Sequence, residues 1–135
     1  GAPTIFYGDE IGVTGGGDPR NRGPYPWEDT GADWGDAGLI DEYRALGAVR
    51  QEYGHIFGTT NLEYIEVGDH ILAFERVSGD GERITVLINN DEEAVSFSNA
   101  ALSGEYQDLL SGETVTLEGS IEMPALSYRY LLPLE

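Results

Sequence analysis

The sequence RITVLIN, residues 83–89, is apolar at nearly every position from Ile84 to Ile88. A strand with one face in water alternates polar and apolar residues, whereas a continuous apolar run indicates a strand that is covered on both faces. We therefore predict that residues 83–89 form a central strand of a β-sheet.

Short runs of β-branched and aromatic residues surround this strand, and turn sequences such as Gly79-Asp80-Gly81 separate them. Eight strands are predicted in total: Leu62–Val67, His70–Val77, Arg83–Asn89, Ala94–Phe97, Tyr106–Leu110, Glu113–Leu117, Ser120–Met123 and Leu126–Leu132. No helical pattern lies between them, which is typical of an all-β domain. The sequence thus predicts a mainly β chain, with an antiparallel β-sandwich of the Greek-key type over residues 58–135.

The first third of the chain has a different pattern. Pro3–Tyr7 is a continuous apolar run, as in a buried strand of a parallel sheet, and Gly12–Pro26 holds too many glycines and prolines for a helix or a central strand. A helix is predicted over Leu39–Tyr53, with Asp36 as its N-cap and Gly54 closing it in the left-handed conformation. Apolar residues recur there about every three to four positions and form a stripe along one face, at Leu39, Ile40, Tyr43, Leu46, Val49 and Tyr53.

Composition excludes several classes of function. The 135 residues carry 25 acidic and 7 basic side chains, for a net charge of −18, and all seven basic residues are arginines. Such a surface repels phosphate backbones and anionic leaflets, so we expect neither a nucleic-acid nor a membrane partner. Cysteine is absent, which excludes a thiol nucleophile and thiolate metal ligands. The chain begins at Gly1 without a methionine, and we expect it to be part of a longer protein, with a cytoplasmic location favoured over a secreted one.

The surplus of carboxylates and the lack of lysine suggest a protein from a high-salt environment, and an ordinary acidic protein is the alternative. If the acidic coat is an adaptation to salt, the melting temperature should rise over the first molar of NaCl, because screening removes repulsion between carboxylates. Thermal denaturation at increasing NaCl tests this, and a flat or falling melting temperature would contradict it.

Carboxylates are the best candidates for chemistry in a chain without cysteine. Glycoside cleavage needs two carboxyl groups about 5–10 Å apart, and Asp9-Glu10 is the obvious pair. Adjacent residues of an extended backbone point to opposite faces, so a supporting role is favoured over catalysis. The rings of Trp27, Trp34, Tyr25 and Tyr7 either pack against a sugar or anchor the loop, and anchoring is favoured for Trp34. The two histidines have no companions for a metal site, and we expect no metal and no cofactor.

Two motifs resemble a known family. GAPTIFYGDEIG, residues 1–12, looks like the G-x-P-x-I-Y-Y-G-D-E-I-G segment at the eighth barrel strand of glycoside hydrolase family 13, the alpha-amylase family. GGDPRNRGPYPW, residues 16–27, is similar to the G-G-x-D-P-x-N-R-x-P-x-x-W loop of its neopullulanase, cyclomaltodextrinase and alpha-glucosidase members. The predicted helix resembles the last barrel helix, and the chain from Gly58 onward resembles the C-terminal sandwich domain.

The resemblance implies a function and a division of the chain. It implies that residues 1–57 are the terminal strand, loop and helix of a (β/α)8 barrel, which the remainder of the barrel must complete, and that residues 58–135 form the sandwich. It further implies retaining hydrolysis or transfer at α-glucosidic bonds of starch-type glucans or maltooligosaccharides, with all catalytic carboxylates outside this chain. A non-catalytic carbohydrate-binding or structural module is the alternative.

The resemblance also assigns roles to individual residues. Arg22 is implied to donate to a sugar hydroxyl, and Trp27 to pack at the same substrate-binding loop. Asp18 is implied to order that loop, while Asp9 and Glu10 support the rim of the active site.

Overall fold

The computed structural model describes residues 2–27, 35–58 and 61–134, and the fold is mainly β. The chain divides into two compact units, Ala2–Ala48 and the residues from Val49 onward. Short 3-10 turns lie at Asp9–Ile11 and Arg20–Arg22. The helices are α1 (Ala37–Glu52) and α2 (Gly54–Phe57), and the strands are β1 (Leu62–Val67), β2 (Ile71–Val77), β3 (Arg83–Asn89), β4 (Val95–Asp108), β5 (Thr114–Met123) and β6 (Ser127–Pro133).

The predicted helix is confirmed as α1, and its N-terminus is capped as expected. Asp36 Oδ1 accepts a hydrogen bond from the Gly38 backbone N–H at 2.8 Å, which satisfies one of the amides left free at a helix start. The prediction that Gly54 closes the helix in the left-handed conformation is wrong. The chain instead leaves the helical region at Tyr53 (φ −101°, ψ 31°), and Gly54 begins α2. No helix in the described part of the chain is long and apolar enough to cross a membrane.

Residues 83–89 are the central strand that the sequence predicts. The described strands form one antiparallel sheet in the order β1-β2-β3-β6-β4-β5, so β3 has a partner on each side. Ile84 to Leu87 are almost completely buried. Alternate side chains of β3 belong to two different cores, with Leu87 in one and Ile84 and Val86 in the other. Its continuous apolar run therefore reflects burial on both faces.

The eight predicted strands are six in the structure, because two pairs of predicted strands merge. Ala94–Phe97 and Tyr106–Leu110 overlap the two ends of β4, and Glu113–Leu117 and Ser120–Met123 are parts of β5. Between Ser98 and Ser103 the register of β4 against β5 shifts, so that residues 99–102 lie opposite Gly119 alone. Gly119 has a φ of +77°, which favours glycine at that position. This bulge interrupts the apolar pattern, and the sequence therefore predicts two strands where the structure has one.

The sheet is curled, because side chains from both of its ends share one core. Ile65 of β1 packs against the same cluster as Leu117 of β5, together with Leu102, Leu131 and Met123. The Asn99 side-chain amide, at the bulge of β4, donates to the Ile65 carbonyl at 3.5 Å. The structure therefore confirms a mainly β, antiparallel architecture and shows it as a single curled sheet.

A second core covers the other face of the sheet. Val49 of α1 and both Ile56 and Phe57 of α2 pack against side chains from β2, β3 and β6. The Arg76 guanidinium donates to the Phe57 carbonyl at 2.9 Å, which ties α2 to β2. The short helix is thus held by apolar burial and by one charged hydrogen bond.

Asn89, at the end of β3, joins two loops through its side chain. The side chain is 1% exposed, and its Nδ2 donates to the carbonyls of Glu93, Met123 and Pro124 at 2.9, 3.3 and 2.8 Å. Its Oδ1 accepts from the Asp91 backbone N–H at 2.9 Å. One buried amide therefore satisfies backbone groups from both chain segments that meet at this end of the sheet.

The two edge strands carry carboxylates. Strand β1 presents Glu63 and Glu66 at one edge, and β5 presents Glu118 and Glu122 at the other. All four side chains are exposed. The free backbone groups of both edges are therefore flanked by negative charge.

The predicted strand Pro3–Tyr7 is not formed among the described residues. The segment pairs with none of the six strands, and Ile5, Phe6 and Tyr7 are about half exposed, at 55, 55 and 48%. An apolar run of this kind forms a strand only against a neighbour that supplies backbone partners, and it has no such neighbour among the described strands.

Candidate functional site

The acidic pair Asp9-Glu10 lies in a 3-10 turn, and both carboxylates fold back onto the preceding backbone. Asp9 Oδ2 accepts from the Phe6 N–H at 3.0 Å, and Glu10 Oε2 accepts from the Gly8 N–H at 2.9 Å. Gly8 itself has a φ of +95°, a conformation that favours glycine. Both carboxylates therefore stabilise this turn through hydrogen bonds to backbone amides.

Glu10 also contacts the loop that follows. A hydrogen bond with its own backbone amide lowers the pKa of Glu10, desolvation opposes that shift, and hydrogen bonds from Tyr25 and Gly8 add to it. Desolvation and the neighbouring Glu10 carboxylate raise the pKa of Tyr25. The neutral phenol and the charged carboxylate thus stabilise each other, and they join the turn at Asp9–Ile11 to the end of the loop.

This contact makes a testable prediction. In Tyr25→Phe the pKa of Glu10 should move up towards 4.5, its ordinary value, because one hydrogen bond to the charged form is lost. The lowered pKa of Glu10 stabilises the fold above pH 4.5, and this stabilisation is lost as the pH falls through the lowered pKa. The raised pKa of Tyr25 stabilises the fold below pH 10, and this stabilisation is lost as the pH rises through the raised pKa. NMR titration of the Glu10 carboxyl carbon measures the shift. Tyr43→Phe, in the same unit, is the control, and equal Glu10 titrations in both variants would contradict the contact.

Arg22 and Asp18, two of the sequence-predicted site residues, pair with each other. Arg22 Nε lies 3.0 Å from Asp18 Oδ1, and the two side chains are 72 and 64% exposed. The pair spans the 3-10 turn Arg20–Arg22 and orders the loop at its surface. Since an exposed pair of this kind contributes at most about 1 kcal/mol, the guanidinium is held weakly.

The aromatic side chains of the loop form two ring contacts. Trp27 is 61% exposed and stacks obliquely on Tyr25, with ring centroids 4.6 Å apart. The rings of Phe6 and Tyr7 lie 4.5 Å apart, and the Tyr7 hydroxyl donates to the Gly23 carbonyl at 3.0 Å. That bond fixes the Tyr7 ring against the loop. Trp34, a further aromatic residue of this region, lies outside the described residues.

A groove of about 770 Å³ lies within the Ala2–Ala48 unit. Its lining includes apolar rings, a carboxylate, a guanidinium and an amide, from Phe6, Tyr7, Asp9, Arg20, Asn21 and Pro24. Of the five sequence-predicted site residues, Asp9 alone lines the groove; Glu10, Asp18, Arg22 and Trp27 do not. Sequence reasoning missed Arg20 and Asn21, although both stand inside the quoted loop motif, because the three residues of a 3-10 turn point in different directions.

In the described part of the chain, no group of three or more His, Asp or Glu side chains could hold a metal ion.

The groove has aromatic rings beside polar donors and acceptors, and the other unit contains the antiparallel sheet. Comparisons with known proteins show what the chain is similar to. No family model matches the chain. The chain is 30% identical over 132 residues to the amylopullulanase of Thermoanaerobacter thermohydrosulfuricus, covering 87% of this chain and 8% of that protein. It is 29% identical over 136 residues to neopullulanase 2 of Thermoactinomyces vulgaris, covering 98% of this chain and 23% of that protein.

A third relative, a cyclomaltodextrinase from a Bacillus species, is 31% identical over 117 residues, covering 86% of this chain and 20% of that protein. These relatives confirm the resemblance to the alpha-amylase family that the motifs of residues 1–27 indicate. The chain spans less than a quarter of the length of each of them.

Solved structures show the same fold. A MutB mutant in complex with glucose superposes with a TM-score of 0.60 and 21% identity, covering 70% of this chain and 18% of that chain. A pullulanase from Anoxybacillus sp. LM18-11, complexed with maltotetraose, superposes with a TM-score of 0.52 and 16% identity, covering 72% of this chain and 15% of that one.

Proposed function

We propose that this chain is the C-terminal segment of a retaining glycoside hydrolase or transglycosylase that acts on α-glucosidic bonds of starch-type glucans or maltooligosaccharides. The observation that carries this proposal is the sequence similarity of about 30% to an amylopullulanase and a cyclomaltodextrinase over nearly nine-tenths of the chain. In this proposal the nucleophile and the general acid lie outside the chain. Asp9 and Glu10, in the turn Asp9–Ile11, each accept a hydrogen bond from a backbone amide, which favours a supporting role for both.

The proposal includes a division of the chain. Residues 1–57 would be the terminal strand, loop and helix of a (β/α)8 barrel, and residues 58–135 a C-terminal sandwich domain. The half-exposed apolar run Ile5-Phe6-Tyr7 supports the first part, because such a segment gains stability when further strands cover it. The shared core of Ile65 and Leu117 supports the second, since it brings opposite ends of the sheet together.

Arg22 and Trp27 are the proposed substrate-binding residues in the active site of the whole enzyme. Both are exposed, and the weak surface pairing of Arg22 with Asp18 leaves its remaining guanidinium donors available to sugar hydroxyls. Asp18 would order the loop, and Asp9 and Glu10 would support the rim through the turn that they stabilise.

A non-catalytic binding module would place its sugar contacts on exposed rings of the sheet. Tyr64 is the one well-exposed aromatic side chain in the described residues 61–134, at 63%, while Phe97 and Tyr106 are buried. A single exposed ring offers little area to a glucan chain, so the enzyme segment is the function that we propose.

The decisive experiment compares the isolated chain with the longest natural polypeptide that carries it. We expect the 135 residues alone to release no glucose or maltose from maltotetraose, because they hold neither nucleophile nor general acid. In the full polypeptide we expect hydrolysis or transfer. There Arg22→Ala should lower kcat/KM by about 1.5–3 kcal/mol, roughly 10- to 150-fold, if the guanidinium binds the sugar.

Arg44→Ala is the matched control, since it removes one exposed, paired arginine of the same unit. Hydrolysis by the isolated chain that is lost in Asp9→Asn or Glu10→Gln would contradict the proposal. Unchanged kinetics in Arg22→Ala would restrict Arg22 to ordering the loop.

A further inference from the structure

Arg20 differs from the other arginines of this acidic chain. All seven arginines are described, and six have a contact: ion pairs at Arg22, Arg44, Arg83 and Arg129, a bond from Arg76 to the Phe57 carbonyl, and the Phe57 ring beneath Arg50. The Arg20 guanidinium has no hydrogen-bond or ion-pair partner among the described residues, although the chain contains 25 carboxylates. Its five N–H donors are therefore available.

The position of Arg20 explains why its availability matters. The Arg20 side chain passes close to Gly16, since a Cβ added to Gly16 would lie 3.5 Å from Arg20 Cδ. The same side chain lines the groove of about 770 Å³. Asn21 lines the same groove, and its side-chain amide has no partner among the described residues. Two adjacent residues thus bring a guanidinium and an amide to one wall.

Asp9 supplies the complementary acceptor. Its Oδ2 is bound to the Phe6 N–H, which fixes the carboxylate, while Oδ1 has no partner in the described part of the chain. The rings of Phe6 and Tyr7 line the groove beside it, and the bond from the Tyr7 hydroxyl to Gly23 holds one ring in place. The groove therefore combines free donors with a fixed acceptor.

We propose that Arg20, Asn21 and Asp9 form a hydroxyl-binding subsite for a neutral sugar unit of the glucan, separate from the contact assigned to Arg22. A sugar hydroxyl donates and accepts at once, which matches a guanidinium and a carboxylate in one groove. An anionic ligand is disfavoured, because Asp9 lines the groove and the chain carries a charge of −18. This inference rests on the proposed function and names the residues that hold the substrate.

Binding of maltotetraose to the longest natural polypeptide that carries the chain tests the subsite by isothermal titration calorimetry. Arg20→Ala should weaken binding about tenfold or more, because a charged donor is lost. Asn21→Ala should weaken it severalfold, and Arg20→Lys should bind between Arg20→Ala and the wild type, since lysine keeps the charge and loses the planar fork. Arg44→Ala, which makes the same change in net charge, should bind like the wild type. In kinetics, Arg20→Ala should raise KM by about the same factor with kcat within about twofold, as expected for a uniform binding contact.

The outcomes separate the subsite from the function. Maltotetraose binding that is equal in the wild type and Arg20→Ala, with hydrolysis intact, would overturn the subsite and leave the proposed function standing. A wild type that neither binds nor cleaves maltotetraose would overturn both. Tighter binding of glucose 6-phosphate than of maltotetraose, lost in Arg20→Ala, would identify an anion site and overturn the subsite. Melting temperatures of the variants, expected within a few degrees of the wild type at this exposed position, show that each remains folded.

Discussion

Asn89→Ala should lower the free energy of unfolding by about 3–4 kcal/mol, since each buried backbone group that loses its partner costs about 1–3 kcal/mol. The side chain donates to three carbonyls and accepts from the Asp91 N–H, and alanine replaces none of these bonds. Glu93 and Asp91 belong to the turn after β3, whereas Met123 ends β5 and Pro124 follows it. The substitution should therefore loosen both chain segments at once. Urea denaturation of the purified chain measures the loss.

The neighbouring residue offers a matched control. Asn90 is exposed, and Asn90→Ala should change stability by less than about 0.5 kcal/mol. Asn89→Asp is a sharper variant of the same size, because it keeps the acceptor and places a negative charge against three carbonyl oxygens. If Asn89→Ala loses no more stability than Asn90→Ala, the buried amide does not hold the two segments together.

Gly35→Ala should destabilise the Ala2–Ala48 unit by at least about 3 kcal/mol, through backbone strain and steric overlap. Gly35 has a φ of +83°, and a Cβ at this position would overlap the carbonyl oxygen of Ile11. The same oxygen accepts the Asp36 N–H at 2.9 Å. Since Gly35 also lines the groove, the variant should impair both the helix start and sugar binding. Hydrogen exchange at the Asp36 amide should become much faster.

Gly47→Ala is the matched control for this prediction. Gly47 lies inside α1, has no atom within 4 Å of an added Cβ and has no positive φ. Alanine there should raise stability by about 0.5–1 kcal/mol, because it restricts the unfolded chain and favours the helix. If the Asp36 amide remains protected from hydrogen exchange in Gly35→Ala, the carbonyl of Ile11 can move aside, and the prediction is wrong.

Strong local patterns predicted most of the fold. The apolar run at 83–89 and the periodic stripe of α1 each correspond to one element, since burial on two faces and burial on one helical face leave different spacings. The bulge at residues 99–102 could not be predicted, because it depends on the register in which β4 pairs with β5 across the sheet. Pro3–Tyr7 shows the opposite failure: its local pattern is that of a strand, but a strand needs a neighbour.

The lining of the groove was predicted in part. Asp9 and the loop motif were found from residue type and order, and Asp9 does line the groove. Which arginine of Arg20-Asn21-Arg22 faces the groove depends on a single 3-10 turn and on the pairing of Arg22 with Asp18. Spacing along the sequence does not distinguish neighbouring residues at that level, so only the three-dimensional structure shows that Arg20 and Asn21 line the groove.

The carboxylates on the edge strands have a consequence for self-association. Two copies of this chain that met edge to edge would bring Glu63 and Glu66, or Glu118 and Glu122, against the same charges of the other copy, and this repulsion opposes intermolecular strand pairing. Salt that relieves crowding of charge within one molecule also weakens this barrier between molecules. High NaCl should therefore increase the tendency of the folded chain to aggregate through its sheet edges, whatever its effect on the melting temperature.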